Sequence, residues 1–229
     1  MEEAKGQKWL EIDDLKRIFL SDSYVEELKE LSRYGVHIKQ ERPMCYILAK
    51  HLYKQGFDVI LEKSQGKNYW YDLVVNGTTI EIKFYYESDL RNRLEKEMNK
   101  NQWDIDKLLF TLNSLKREHK SYSWSMTLSI LEDVLNKAPD IFILTILSRD
   151  LRKKVHDLPM EYICWGEYEI KYNEKYGFNN NRSFNLLERF LEGINVKRNF
   201  KLDYARIDIN TLFPSAYHLY FCDFRKAKD

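Results

Sequence analysis

The segment 70-WYDLVVNGTTIEIKF-84 decides how this chain is read. Asn76-Gly77 stands between two apolar runs, the strongest short-range signal for a two-residue hairpin, because both residues tolerate positive φ. A turn at that point sets the register: Val75 faces Thr78, Val74 faces Thr79, Leu73 faces Ile80, and Asp72 faces Glu81. Side chains alternate at period two along a strand. Leu73, Val75, Ile80, Ile82 and Phe84 therefore share a face suited to a core, and Asp72, Glu81 and Lys83 are expected together on the other.

Directly opposed carboxylates repel one another, so the Asp72–Glu81 pair calls for a cation. Two readings are open from the pairing alone. Lys83 can neutralise the pair at a solvated sheet face, or a hard divalent ion such as Mg²⁺ can take the two carboxylates and leave its other positions to water and phosphate.

Outward from the hairpin, the preceding segment 41-ERPMCYILAKHLYKQGFDVILEK-63 reads as a helix to about Gln55, stopped by Gly56, and then a strand. Cys45, Leu48 and Leu52 follow Glu41 at helical spacing, which places Glu41 on the inward stripe. Pro43 is tolerated only in a first turn, so Glu41 sits at the very start of this helix. Residues 8–35 are expected as two helices, with Ser21 or Ser23 capping the second and Gly35 ending it. Strands are expected at 57–63, 69–75 and 78–85, and helices at 103–117, with Leu108, Leu109, Leu112 and Leu115 as its stripe, and at 126–137. The run 141-IFILTILS-148 is apolar without alternation, as in a strand buried on both faces. Further on, strand-like stretches at 161–172 and 216–224 flank a helix at 183–193.

Composition bounds the possibilities. A chain of 229 residues with 44% hydrophobic and 32% charged residues is an ordinary globular protein, able to bury a large core. The net charge of +1 announces no global basic field. Cys45, Cys164 and Cys222 are odd in number and far apart, which suggests neither a disulfide framework nor a zinc site. The N-terminus is too charged for a signal peptide, and the longest apolar run is far short of a membrane span. A cytoplasmic protein without membrane partners is expected. No P-loop, dinucleotide-binding glycine pattern, G-x-S-x-G elbow or H-E-x-x-H pair occurs, so no nucleotide cofactor is expected. Small basic clusters suit phosphate contact: Arg91, Arg93 and Lys96; then Arg149, Arg152, Lys153 and Lys154; then Lys197, Arg198 and Lys201. Tyr85, Tyr86 and Trp103 are candidates to flank a nucleic acid, and Glu62 is a reserve acid on the strand before the hairpin.

An Asp near the end of one strand followed by Glu-x-Lys on the next resembles the PD-(D/E)xK nucleases, the restriction-endonuclease-like superfamily. Asp72 matches the first acid and Glu81 with Lys83 the E-x-K; Tyr71 stands where the motif has Pro. The resemblance covers about residues 41–150, and it also accounts for a preceding helix carrying a further glutamate, here Glu41. It implies an α/β fold with a restriction-endonuclease-like core, a mixed β-sheet flanked by helices. A 1–40 N-terminal helical extension and a 151–229 C-terminal α+β elaboration would belong to the same compact unit. It implies a Mg²⁺-dependent DNA endonuclease, with Mn²⁺ as a substitute, acting on double-stranded DNA. A type II restriction enzyme is the favoured subtype, and a homodimer the natural arrangement for cutting both strands. Asp72, Glu81 and the Ile82 backbone carbonyl would hold the metal. Lys83 would position or activate water, becoming a base if burial beside cations depressed its pKa, and Glu41 would assist. Repair, recombination or phage nucleases share these features. A non-catalytic nucleic-acid-binding protein that kept the fold is the alternative from another class.

Overall fold

The computed structural model describes residues 9–34, 41–64, 70–149, 180–198, 204–210 and 215–225. At its centre is the expected hairpin. Strands β2 (Trp70–Val75) and β3 (Thr78–Tyr86) are joined by Asn76 at φ 47° and Gly77 at φ 87°, and the rungs are Val75–Thr78, Val74–Thr79 and Leu73–Ile80. The positive φ at both turn positions is what an Asn-Gly two-residue loop provides. Asn76 also ties the turn to the preceding loop, its side-chain oxygen accepting from the Asp58 N–H at 2.7 Å.

Among the described residues the sheet has six strands in the order β1-β2-β3-β4-β6-β5, with β1 (Val59–Ser64), β4 (Ile141–Arg149), β5 (Tyr204–Asn210) and β6 (Ser215–Asp223) completing it. Strands β3 and β4 run parallel and every other neighbouring pair antiparallel, so the sheet is mixed. A parallel pair needs a long crossover, and the chain between β3 and β4 supplies it as a string of helices: α4 (Glu87–Asp89), a π-helical segment Leu90–Glu95, α5 (Lys96–Lys100), α6 (Ile105–Arg117), α7 (Met126–Leu131) and a second π-helical segment Glu132–Lys137.

Helices cover both faces. On one face α1 (Ile12–Phe19), α2 (Asp22–Tyr34) and α3 (Glu41–Lys54) pack Leu15, Ile18, Leu28, Leu48 and Leu52 against Leu73, Val75, Ile80, Ile82 and Phe84. These five strand residues are the ones the alternation assigned to the core. On the other face the crossover helices and α8 (Asn180–Arg198) pack against Phe142, Leu144, Ile146, Tyr220 and Cys222. Strand β4 feeds both cores, Ile141, Ile143 and Leu147 into the first and Phe142, Leu144 and Ile146 into the second. That double burial is why its sequence does not alternate. Together these elements form an α/β fold with a mixed sheet flanked by helices.

Three local devices aim the elements. Gly56, at φ 84°, ends α3 in the left-handed conformation and lets the chain turn into β1. Glu27 of α2 accepts from Lys50 at 2.9 Å and contacts His51 Nε2 at 3.0 Å, locking α2 to α3. Asp140 accepts from the N–H and hydroxyl of Thr79, both at 2.9 Å, which pins the entry of β4 to the hairpin.

The single helix expected over 126–137 is an α-helix to Leu131 and a π-helical turn from Glu132 to Lys137, ending on Ala138 at φ 48°. Strand β5 was not anticipated; in YARIDIN only Ile207 and Ile209 alternate with charge, too short a run to declare itself. The helix expected at 183–193 extends over Asn180–Arg198. Gly35, Cys164 and the stretch 161–172 lie outside the described residues. Among the described residues no helix is long and apolar enough to cross a membrane.

Candidate active site

The ladder between β2 and β3 ends at Leu73–Ile80. The next rung would join Asp72 to Glu81, and there the hairpin opens. Asp72 Oδ2 accepts the N–H of Ile82 at 2.7 Å, a side chain taking the place of a main-chain acceptor. Alternation expects Asp72 on one face of the sheet with Glu81 and Lys83, and says nothing of a main-chain partner. The Asp72 carboxylate reaches the β3 main chain, because ending the ladder frees an N–H that must find another acceptor. The N–H and C=O of one strand residue project to the same edge. The Ile82 carbonyl is therefore directed to the side that Asp72 occupies.

Glu81 and Lys83 rise from β3 toward the crossover helices, and there they meet residues that sequence reasoning had passed over. Lys83 Nζ lies 3.0 Å from Asp133 Oδ2, 3.5 Å from Glu81 Oε1 and 3.8 Å from Glu41 Oε1. Lys137 Nζ contacts Glu81 Oε1 and lies 2.9 Å from Asp133 Oδ1. Glu81 and Asp133 thus alternate with Lys83 and Lys137 in a closed ring of opposite charges. Glu41 joins from the first turn of α3, on the other face of the sheet, at the place where β2 and β3 part. Asp133 and Lys137 stand four residues apart on the π-helical segment. That segment is held by a hydrogen bond from the Tyr71 hydroxyl to the Lys137 carbonyl at 3.0 Å. The i,i+4 acid–lysine spacing in EDVLNK was a legible signal, but such pairs usually decorate solvated helix faces.

The cluster is nearly dry: Glu81 is 1% exposed, and the Asp133 and Lys83 side chains are 5% and 13% exposed. Among the described residues four carboxylates, from Glu41, Asp72, Glu81 and Asp133, face two ammonium groups, a formal excess of two negative charges. The electrostatics follow. Burial, and then the negative neighbours Asp133 and Asp72, push the Glu81 carboxyl up to about 8, against the pull of Lys83 and Lys137. Asp72 is also raised, chiefly by burial, with the Ile82 N–H opposing. Burial alone would lower Lys83, but Asp133, Glu41 and Glu81 outweigh it and hold the ammonium well above the ordinary lysine value. That direction is opposite to the depressed value a base role for Lys83 would use. The nearby Cys45 thiol is raised by burial and by the same carboxylates, and is no nucleophile.

The other expected residues are placed as follows. Glu62, opposite Asp72 on β1 with φ 50°, is exposed and pairs with Arg42 at 3.6 Å, outside the cluster. Arg93 is exposed and 3.4 Å from Asp89, and Lys96 is exposed. The side chains of Arg91, Arg149, Lys197 and Arg198, and all of Arg152, Lys153, Lys154 and Lys201, lie outside the described residues. Tyr85 packs into the second core and Tyr86 against Phe84. Trp103 is half-buried, with the Arg189 guanidinium 4.2 Å over its ring. All three aromatics are held by the protein itself.

No protein-family model, curated protein or solved structure matches this chain.

Whether a divalent ion suits the site is tested by the residues present. Among the described residues, no group of three or more His, Cys, Asp or Glu side chains is arranged to hold a metal. The set expected from the sequence uses only two side chains, Asp72 and Glu81, with the Ile82 carbonyl. Glu81 Oε2 is buried and accepts no hydrogen bond from the described residues, a state that is unfavourable for a carboxylate oxygen. A hard dication satisfies that oxygen and matches the excess of two charges. The donor set fits.

Proposed function

We propose that this protein is a metal-dependent phosphodiesterase of the restriction-endonuclease-like kind, cutting DNA internally. The observation that carries the reading is the meeting of Asp72, Glu81, Lys83 and Glu41 at the point where β2 and β3 part, beside an orphaned carboxylate oxygen. The mixed sheet with a helix before the hairpin and a helical crossover after it supports the same reading at the level of architecture.

Asp72, Glu81 and the Ile82 carbonyl would hold Mg²⁺ or Mn²⁺. A bound ion supplies an acidified water and stabilises charge on the phosphate. Lys83, fixed by its acidic neighbours and fully charged, donates toward a phosphate oxygen and holds the attacking water in line; it orients and neutralises rather than abstracting a proton. Glu41 holds Lys83 from the far side and accepts from water near it. Arg93 and Lys96, exposed on the segment that follows β3, suit contact with the backbone of double-stranded DNA. Sequence-specific cleavage by a dimer, as in a type II restriction enzyme, is the subtype we favour.

The test is cleavage of a panel of plasmid and phage DNA with Mg²⁺, Mn²⁺ or EDTA, beside Lys83→Met. Discrete metal-dependent fragments that vanish in the variant are expected. A metal-dependent smear lost in the variant keeps the nuclease and removes the restriction label. Cleavage that persists in Lys83→Met, or none with any DNA and metal by folded protein, refutes the reading.

A further inference from the structure

We infer that Lys137 is the resident counter-ion of Glu81 and that a divalent cation must displace it from that carboxylate, so that Lys137 sets the metal affinity of the site. The inference rests on the metal-binding reading above, and goes beyond it in assigning a residue that the E-x-K pattern does not contain.

The two lysines of the ring are not equivalent. Among the described residues Lys83 has three acidic partners, with Asp133 the nearest at 3.0 Å. If Glu81 turns to a metal, Lys83 keeps Asp133 and Glu41. Lys137 has two acidic partners among the described residues, Glu81 and Asp133. It gives up half of its pairing when Glu81 turns away. It is also the more open of the two, its side chain 18% exposed against 13%. Its main chain is anchored: the Tyr71 hydroxyl donates to its carbonyl at 3.0 Å, and the following Ala138 N–H donates to the Asp133 carbonyl at 3.2 Å. Any displacement therefore belongs to the four-carbon side chain, a flexible stem carrying a point charge.

The geometry at Glu81 explains why the lysine is there. Both ammonium groups fall on Oε1, and Oε2 has no hydrogen bond among the described residues. A buried carboxyl beside Asp72 and Asp133 ionises only with positive charge at hand, and Lys137 supplies it when no metal is bound. The same charge stands against an incoming cation. A neutral side chain at 137 removes the competitor and deepens the negative excess, and both effects strengthen cation binding.

The experiment is equilibrium Mn²⁺ binding to the full chain, followed by electron paramagnetic resonance of free Mn²⁺ and by calorimetry. It compares the wild type with Lys137→Met, Lys137→Arg and Glu81→Gln, without DNA. Lys137→Met should bind Mn²⁺ tenfold or more tighter, Lys137→Arg no tighter than wild type, and Glu81→Gln not at all. Mn²⁺ binding by the wild type that no neutral variant at 137 exceeds overturns the role of Lys137 and leaves the metal site standing. Absence of Mn²⁺ binding from wild type and Lys137→Met alike removes the metal reading and the inference together. If Lys137→Met does not fold without metal, Lys137→Gln keeps an amide donor for Glu81 without the charge. Its Mn²⁺-dependent rise in Tm must then exceed that of the wild type.

Discussion

Glu81→Gln should make the metal-free protein less sensitive to rising pH, and the sign follows from the cluster. In the folded protein the Glu81 carboxyl is raised from 4.5 to about 8, first by burial and then by Asp133 and Asp72. In the unfolded chain it returns to the ordinary value. The folded state holds the proton more tightly, so the stability from this group is fully present below about pH 4.5 and is lost as pH rises through about 8. Asp72, raised in the same direction, works with it from lower pH. One pKa unit is worth about 1.4 kcal/mol, so the loss across this window is on the order of 4 kcal/mol. For a domain of this size that is a fall in Tm on the order of 10 °C. Glutamine carries no charge at any pH, and so removes most of the loss. The assay is urea unfolding in EDTA near pH 5 and near pH 8.5. The wild type should lose far more stability between the two than Glu81→Gln, and the variant should become the more stable protein at the higher pH. Mn²⁺ should restore the wild type there and leave the variant unchanged. Parallel losses in the two proteins would refute the reasoning, since they would mean that Glu81 ionises at its ordinary value and that the cluster carries no excess charge.

Two further outcomes test the framework that holds the site. Gly77→Ala should destabilise by about 1 kcal/mol, seen as a lower urea midpoint. An added Cβ meets nothing within 4 Å, so the φ of 87° is the whole cause, and an unchanged midpoint contradicts the turn geometry. Glu97→Ala should cost about 1–3 kcal/mol and speed amide exchange over residues 126–137. Its carboxylate accepts from Ser125 Oγ at 2.7 Å, Thr127 N at 2.9 Å and Met126 N at 3.2 Å, so its loss leaves two first-turn N–H groups of the helix that leads to Asp133 and Lys137 without that acceptor, with only the Ser125 cap on Leu128 N kept. Unchanged protection there would show that the helix start has other support.

Much of the fold was legible because it is written in local terms. Asn76-Gly77 dictates a two-residue turn, and a two-residue turn dictates the Leu73–Ile80 register. Gly56 and Pro43 bracket α3, and the unbroken apolar run of β4 announces burial on both faces. Where two elements of different period were fused, legibility failed. The π-helical turn Glu132–Lys137 follows α7 without a break in composition, so nothing in the sequence separates it from α-helix. A π turn changes which side chains share a face, and such turns often accompany functional sites.

The sequence by itself determined the acids and lysine of the hairpin, their register and the helix that brings Glu41, because spacing along one chain segment settles each of them. Only the tertiary structure decided that the ladder opens at Asp72 and that its carboxylate turns to the Ile82 N–H. It alone brought Asp133 and Lys137 down onto Glu81 from a segment 52 and 56 residues further along. It also surrounded Lys83 with Asp133, Glu81 and Glu41, which hold its ammonium charged. The reason is that ionisation and pairing depend on which charges share a dry volume, and that volume is closed by residues that are neighbours only after the crossover has folded back over the sheet.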